Sequence, residues 1–193
     1  SVNARYYYGA AASSLPVDGR GRIEVDPTPF PDYPGFRFGR ADVDFSSLPV
    51  TLARRETDVA GQGELSLVVP GIEERSRPLR ARLTIAVHDV GGRPVYASAT
   101  APIVLHPRYV GLRAEFGTGD TPGVAEHEPA PFTLRAITPD GEPVAGARLR
   151  WRWVREHHDY VWFSSNGHWS YRTSIIDEPL ASEGGAANAD GAL

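Results

Sequence analysis

Residues 80–105 read RARLTIAVHDVGGRPVYASATAPIVL, and they give the clearest indication of the fold class. Polar and apolar residues alternate from Arg80 to His88, as expected of a half-buried β-strand. The apolar residues of this alternation share one face: Leu83, Ile85 and Val87. Gly91-Gly92 follows as a turn, and a second long strand is predicted from Val95 to Leu105. The stretch therefore predicts an antiparallel β-hairpin.

The same two-residue period recurs on both sides of the hairpin. The runs that predict further strands are Arg22–Asp26, Glu64–Val69, Tyr109–Arg113, Phe132–Thr138, Ala147–Glu156, Tyr160–Phe163 and His168–Ile176. No segment has the three- to four-residue apolar spacing of a long amphipathic helix. The 20 glycines and 17 prolines have no collagen period, so we interpret them as turn residues. The sequence predicts an all-β protein.

His106-Pro107-Arg108 is the predicted boundary between two domains, because a long strand ends there and proline cannot donate a ladder hydrogen bond. We expect two consecutive antiparallel β-sandwich domains of the immunoglobulin-like type, over residues 1–106 and 107–193. The second contains only about five predicted strands, whereas a closed sandwich of this type has roughly seven. Since residues 177–193 are small and acidic, we expect a loop or a frayed end there and an incomplete second domain.

Aromatic residues concentrate in the second half of the chain. Seven lie within 21 positions: Trp151, Trp153, Tyr160, Trp162, Phe163, Trp169 and Tyr171. Residues two apart on a strand share a face, so Trp151 pairs with Trp153 and Trp169 pairs with Tyr171. We expect the two pairs to meet across a ladder and to form an aromatic platform. Such a platform is either part of a core with stacked arginines or, if it faces water, a carbohydrate-binding surface.

Histidines and carboxylates form no recognisable catalytic or metal-binding motif. In His157-His158-Asp159, neighbouring side chains point to opposite faces of a strand, which leaves too few ligands for a tetrahedral site. Glu126-His127-Glu128 has the same defect. The sequence contains no nucleophile elbow, phosphate-binding glycine loop, zinc-protease motif or EF-hand loop. We expect no catalytic residue, no metal and no cofactor.

Composition excludes further classes of function. The chain has no cysteine, which excludes disulfides, thiolate zinc sites, cysteine nucleophiles and a cysteine thioester within it. Its net charge is −4, yet over residues 1–176 the 20 arginines balance 20 acidic residues. That balance argues against a nucleic-acid partner and against a polybasic membrane surface. Because the chain begins with Ser1 and has no methionine, we expect a processed product or a piece of a longer chain.

Several runs follow one another in a characteristic order. In the first half they are Arg5–Ala10, Pro29–Gly39, Thr57–Leu67 and Ser76–Val87. In the second half they are Tyr109–Arg113, Leu149–Trp151, Arg155, Tyr160–Phe163 and Ser165–Tyr171. In this order they resemble the fifth and sixth macroglobulin domains of bacterial α2-macroglobulins. The resemblance covers the chain to about Ile176, where family members continue with closing strands.

The resemblance implies a framework fragment of a large protease trap, a broad-spectrum endopeptidase inhibitor with a part in host defence. In that family a protease cleaves a bait region, the molecule closes around it, and a Cys–Gln thioester can capture it covalently. The bait region and any thioester are expected outside this chain. The implied partners are proteases, met through the whole protein, and neighbouring macroglobulin domains. The expected location is the periplasm, with the parent in some cases anchored to the inner membrane as a lipoprotein, and no direct membrane contact by this fragment.

Two other classes of function stay open at this point. One is a carbohydrate-binding or adhesive module that uses the platform of Trp151, Trp153, Trp169 and Tyr171. The other is a glycosidase-associated or hydrolytic domain, which is less favoured because no paired-carboxylate or nucleophile motif stands out. Exposure of the tryptophans distinguishes a binding platform from a core, and a turnover assay tests for hydrolysis.

Overall fold

The computed structural model describes residues 1–73, 75–89, 91–117, 123–165 and 167–193, and these form strands without any helix. The strands are β1 (Val2–Asn3), β2 (Pro16–Val25), β3 (Arg37–Phe38), β4 (Leu48–Glu56), β5 (Gln62–Gly63), β6 (Leu79–His88), β7 (Pro94–Ile103), β8 (Tyr109–Ala114), β9 (Phe132–Ile137), β10 (Arg148–Ser165) and β11 (His168–Ala186). The chain divides into two compact units, Ser1–Gly111 and Leu112–Leu193. Within the described ranges, nothing forms a helix that could cross a membrane.

The first unit is built on a four-stranded antiparallel sheet with the order β4-β2-β6-β7. The predicted hairpin is confirmed, since β6 and β7 pair from Val87 opposite Val95 to Leu79 opposite Ile103. One face of the sheet carries the core, to which Ile72 adds from the segment between β5 and β6. The sheet residues of this core are Ile23, Val50, Leu52, Leu79, Ala81, Leu83 and Ile103. The hydrophobic effect of burying this set stabilises the unit, at roughly 1.5–3 kcal/mol for each large aliphatic side chain.

Irregular segments, rather than a regular second sheet, supply part of the cover over this core. Leu65 and Leu67 pack against it half-buried, while their neighbours on either side are exposed. The strand predicted at Glu64–Val69 is therefore wrong, because only β5, just before it, joins a ladder, with β1. An extended backbone turns alternate side chains to opposite sides even without a partner strand, so the pattern reports burial rather than pairing.

The second unit contains β9, β10 and β11, together with the end of β8. Within it, β9 pairs with β8. β10 and β11 form a separate antiparallel ribbon, in register from Arg148 opposite Ala186 to Ser165 opposite His168, with a bulge between Trp153 and Val154. A small buried cluster lies at the base of the ribbon: Ala136, Ala147, Leu149 and Ala187.

Two expectations for this unit are wrong. The strands predicted separately at Ala147–Glu156 and Tyr160–Phe163 are one strand, β10, because pairing with β11 continues through the polar residues between them. The tail at 177–193 is not a loop or a frayed end, since β11 extends to Ala186. Leu193 then exchanges backbone hydrogen bonds of 2.9 and 3.0 Å with Leu134. Ladder hydrogen bonds override the weak strand propensity of this glycine- and alanine-rich segment.

Candidate functional site

The outer part of the ribbon is the most unusual surface of the second unit. We call residues 155–165 and 167–178 the distal ribbon. Every described residue of this segment is exposed, on both faces of the two strands. An isolated two-stranded ribbon is at best marginally stable in water, so this element lacks the packing that normally supports a ladder.

One face of the distal ribbon is aromatic. Residues directly opposite each other in an antiparallel ladder share a face, and Trp162 lies opposite Tyr171. Their ring centroids are 5.3 Å apart, and the ring of Tyr160 is 5.8 Å from that of Tyr171. Trp169, opposite Ser164, extends the same face towards the tip, and Ile175 extends it towards the base. These five side chains are named the aromatic face.

The opposite face carries an ion cluster. Glu178 accepts hydrogen bonds from His157, at 3.0 Å, and from Arg155, at 3.3 Å. The hydrogen bond from His157 and the charge of Arg155 hold the pKa of the Glu178 carboxyl below its usual range. All three side chains are about half exposed, so the cluster orients the two strands and adds little stability.

The predicted platform is not assembled as expected. Trp151 lies opposite Glu183 and Trp153 opposite Ala181, whereas Tyr171 lies opposite Trp162. Nine residues separate Trp153 from Trp162 along β10, which is about 30 Å. The prediction that the two pairs face each other across a ladder is wrong, because both strands belong to one hairpin and only residues equally far from its turn meet. The aromatic residues therefore form two groups, and carbohydrate binding by either stays a prediction.

Tyr160 and Trp162 are the two aromatic residues of the aromatic face that the platform prediction left out. The signal that finds them is the turn predicted at Ser164–Gly167. Counting outwards from that turn by equal steps on both strands pairs Trp162 with Tyr171 and Ser164 with Trp169, as observed.

The other aromatic group lines an apolar groove of about 220 Å³ at the base of the ribbon. The groove is lined by Leu112, Ala130, Phe132, Leu134, Trp151, Trp153 and Leu193. The rings of Phe132 and Trp153 pack with centroids 5.4 Å apart, and Trp153 stays 40 % exposed. Small-molecule sites are typically about 300–1,000 Å³, so this groove suits a single apolar side chain better than a ligand.

Metal-binding geometry is not found in the part of the chain that the structure describes. No three histidine or acidic side chains there converge on one point. His157 is engaged with Glu178, and the His127 imidazole lies 3.6 Å from Glu126 with both side chains almost fully exposed. These residues are solvated polar side chains rather than a ligand set.

Two family models together match almost the whole chain. The Bacterial Alpha-2-macroglobulin MG5 domain matches residues 1–104, and the Bacterial macroglobulin domain 6 matches residues 111–193. The chain belongs to the bacterial alpha-2-macroglobulin family. The resemblance seen in the sequence is thereby confirmed, and the fold class is that of consecutive macroglobulin β-sandwich domains.

Individual alpha-2-macroglobulins agree with this assignment. Those of Xylella fastidiosa (strain Temecula1) and Escherichia coli (strain K12) are each 28 % identical, over 176 and 173 residues, covering 89 % and 84 % of this chain. Salmonella alpha-2-macroglobulin reacted with methylamine superposes with a TM-score of 0.71 at 26 % identity, over 99 % of this chain and 13 % of that one. Escherichia coli alpha-2-macroglobulin activated by porcine elastase gives 0.68 at 26 % identity, over 100 % and 17 %. The chain spans about a tenth of the length of the relatives it matches.

Proposed function

We propose that this chain is a framework segment of a protease-trapping alpha-2-macroglobulin, without catalytic residues of its own. We further propose that the distal ribbon docks onto other domains of the same protein. The whole protein then acts as an endopeptidase inhibitor in the periplasm. The observation that carries this proposal is the solvent exposure of the aromatic face. The chain covers only about a tenth of the length of its relatives, whose other domains could cover this face.

The size of the aromatic face supports docking. Tyr160, Trp162, Trp169 and Tyr171 are 62 %, 63 %, 73 % and 54 % exposed. A buried aromatic side chain contributes about 150–250 Å², so these four present about 400–600 Å² of mainly apolar surface. That is as large as the largest patch on a typical monomer, which is often functional. Together with apolar residues of the opposite face it approaches the roughly 800 Å² per partner of a stable interface.

The distribution of charge supports a framework role as well. The distal ribbon holds two arginines and four acidic residues, a net charge of −2 apart from its histidines, but the five side chains of the aromatic face are all uncharged. Charged residues are depleted at the centres of protein interfaces, because burying them costs desolvation energy. An uncharged aromatic face is thus suited to burial against another domain.

The experiment uses the full-length alpha-2-macroglobulin that contains this segment. A trapped protease still cleaves small peptides but loses access to large protein substrates, so the ratio of the two activities measures trapping. We expect the double variant Trp162→Ser, Tyr171→Ser to lose most of this discrimination and to melt at a lower temperature. Tyr96→Ser removes an equally exposed tyrosine, 60 %, from β7 and serves as the matched control. Trapping and melting like the wild type in the double variant would contradict the docking role.

Trapping and the framework role are tested separately. We expect the 193-residue chain alone not to inhibit endopeptidases, because it lacks the remaining nine tenths of its relatives' length. If the full-length protein inhibits no endopeptidase at all, protease trapping is wrong whatever the ribbon does. Cell fractionation checks the periplasmic location.

A second candidate is stacking of carbohydrate on the tip of the ribbon. It is favoured by the exposure of Trp169 and Tyr171, since sugar rings stack on flat aromatic faces open to solvent. Titration of the chain with soluble oligosaccharides, followed by tryptophan fluorescence, tests it. A saturable change in fluorescence that is lost in Trp169→Ala supports carbohydrate binding. If no oligosaccharide changes the fluorescence, carbohydrate binding is excluded.

A further inference from the structure

The outward face of the four-stranded sheet in the first unit carries a cluster of arginines. β2 turns Ile23 into the core, so Arg20 and Arg22 lie on the other side of the sheet. On β6, Arg82 lies directly opposite Arg22, and Thr84 lies directly opposite Arg20. Directly opposite residues have Cβ atoms about 4.5–5.5 Å apart, so three guanidinium groups share a small area.

Hydroxyl groups surround these arginines. Arg20 has Thr51 opposite it on β4, and Thr84 has Ser98 opposite it on β7. One row across the sheet therefore reads Thr51, Arg20, Thr84 and Ser98. The next row places Arg22 beside Arg82. Side chains of both rows line a shallow depression of about 600 Å³ on this face.

The positive charge of this cluster is only partly compensated. Arg22 donates to Glu24 at 2.6 Å, while Arg80 donates to the other carboxylate oxygen of Glu24 at 2.8 Å. Two other carboxylates of β2 and its end are also engaged elsewhere, Asp18 at 2.8 Å from His88 and Asp26 at 3.7 Å from Arg80. Among the described residues, the side chains of Arg20 and Arg82 have neither an ion pair nor a hydrogen-bonded partner.

This arrangement has an electrostatic cost in the free protein. Like charges placed directly opposite each other on adjacent strands destabilise a sheet, and Arg22 faces Arg82. Each guanidinium offers five N–H donors in a planar fork that matches the oxygens of a carboxylate or phosphate. An anion placed between Arg20 and Arg82 removes the repulsion and satisfies the free donors together.

We propose that this face of the first unit binds a phosphate group, held between Arg20 and Arg82 with Thr84 and Ser98 as neutral donors. A phosphate fits better than a single carboxylate because it has three peripheral oxygens for donors that converge from two arginines and two hydroxyls. The phosphate is a monoester, with three free oxygens, and belongs to a soluble phosphorylated compound or to a lipid headgroup, two sources with the same chemistry. The site is independent of the proposed framework role, since it lies in the first unit and uses none of the ribbon.

The first arm of the test titrates the 193-residue chain with pyrophosphate at low ionic strength, followed by NMR of the arginine Nε–H groups. We expect saturable shifts at Arg20 and Arg82. The dissociation constant should rise about tenfold in Arg82→Gln or Arg20→Gln, as expected for the loss of one charged hydrogen-bonding partner. Arg93→Gln is the matched control, because it removes the same charge from an exposed position just before β7, about 17 Å from Ser98, the site residue on that strand.

The second arm sediments the chain with vesicles that contain phosphatidic acid, whose headgroup is a phosphate monoester. Binding to vesicles that falls in Arg82→Gln, but not in Arg93→Gln, identifies a lipid headgroup as the source. Binding of pyrophosphate without binding of vesicles identifies a soluble phosphate compound. If the dissociation constants of Arg82→Gln and Arg93→Gln agree in both arms, the cluster is ordinary surface charge and the proposal is wrong.

A stability measurement separates binding from a structural role. Without phosphate, we expect the melting temperature of Arg82→Gln to equal or exceed that of the wild type, because the substitution removes a like-charge contact. Pyrophosphate should then raise the melting temperature of the wild type and not that of the variant. A variant that is less stable without phosphate would show that Arg82 supports the sheet itself, and would overturn the assignment.

Discussion

Thr57 offers the sharpest test of how the first unit is held together. It is 4 % exposed, and its hydroxyl donates to the backbone carbonyl of Ala12 at 2.6 Å. The same oxygen accepts the backbone N–H of Leu15 at 3.0 Å. Thr57→Val keeps the shape and the β-branch of the side chain but leaves both backbone groups without a partner. Each buried unsatisfied group costs about 1–3 kcal/mol, and the added methyl group returns about 0.8 kcal/mol, so the expected loss is about 3 kcal/mol.

Equilibrium unfolding in urea, followed by far-UV circular dichroism and by hydrogen exchange of β2 and β6 amides, measures this loss. Tryptophan fluorescence is not a suitable probe, because all four tryptophans lie in the second unit. The matched control is Thr100→Val, the same substitution at an exposed position on β7, which we expect to change stability by less than about 0.5 kcal/mol. If the two variants unfold at the same urea concentration, the Thr57 hydroxyl does not stabilise the fold through its two backbone hydrogen bonds, and the prediction is wrong.

Three further predictions concern the backbone, the core and the surface charges. Gly21→Ala places a methyl group against a backbone carbonyl of β6 and should cost about 1–3 kcal/mol of stability, measured by thermal melts. Gly71→Ala, where the added methyl group meets no neighbour, should not have this cost. Equal effects of the two substitutions would contradict the close approach of β2 and β6 at Gly21. Ile137→Ala empties a fully buried site in the second unit and should cost about 2–5 kcal/mol, read by tryptophan fluorescence; a loss below 1 kcal/mol would refute its place in the core. Hydrogen bonds from Arg80 and Arg22 lower the pKa of Glu24 from its ordinary value of 4.5. The contribution of Glu24 to the free energy of unfolding is therefore present above pH 4.5 and is lost as the pH falls through its folded-state pKa. In an NMR titration, Arg80→Gln should raise the pKa of Glu24, and an unchanged value would exclude that hydrogen bond as the cause.

The hairpin of β6 and β7 could be predicted because its signals are local. Alternation marks both strands, and the glycine pair between them supplies the turn, so no information from distant residues is needed. The register then follows from the turn, as the pairing of Val87 with Val95 shows.

Strand lengths in the ribbon could not be predicted in the same way. Alternation reports one buried and one exposed face, and the distal ribbon has no buried face. His157-His158-Asp159 therefore looks like an interruption in the sequence while it is continuous strand in the structure. The last residues of the chain are held by hydrogen bonds to Leu134 and Ala147, partners that composition does not reveal.

The two candidate sites also depend on information that is not local in the sequence. The aromatic residues were visible as a cluster, but their pairing depends on counting from the turn, and the platform prediction did not make that count. The arginine cluster depends on pairing between β2 and β6, which places Arg22 beside Arg82 across 60 residues of chain. Neither charge pattern nor spacing contains that long-range register, so only the fold brings the two guanidinium groups together.

The bulge between Trp153 and Val154 has a mechanical consequence. It lies where the packed base of the ribbon ends and the solvated part begins, and bulges locally bend and twist a ladder. The twelve residues from Val154 to Ser165 span about 40 Å, so the outer strands act as a lever arm with its pivot at the bulge. A rotation of about 5° at the pivot moves the tip by about 3.5 Å over that length, close to the thickness of an aromatic ring. Small adjustments of backbone geometry at the base are thus amplified into displacements at Trp169 that are large enough to make or break a packing contact.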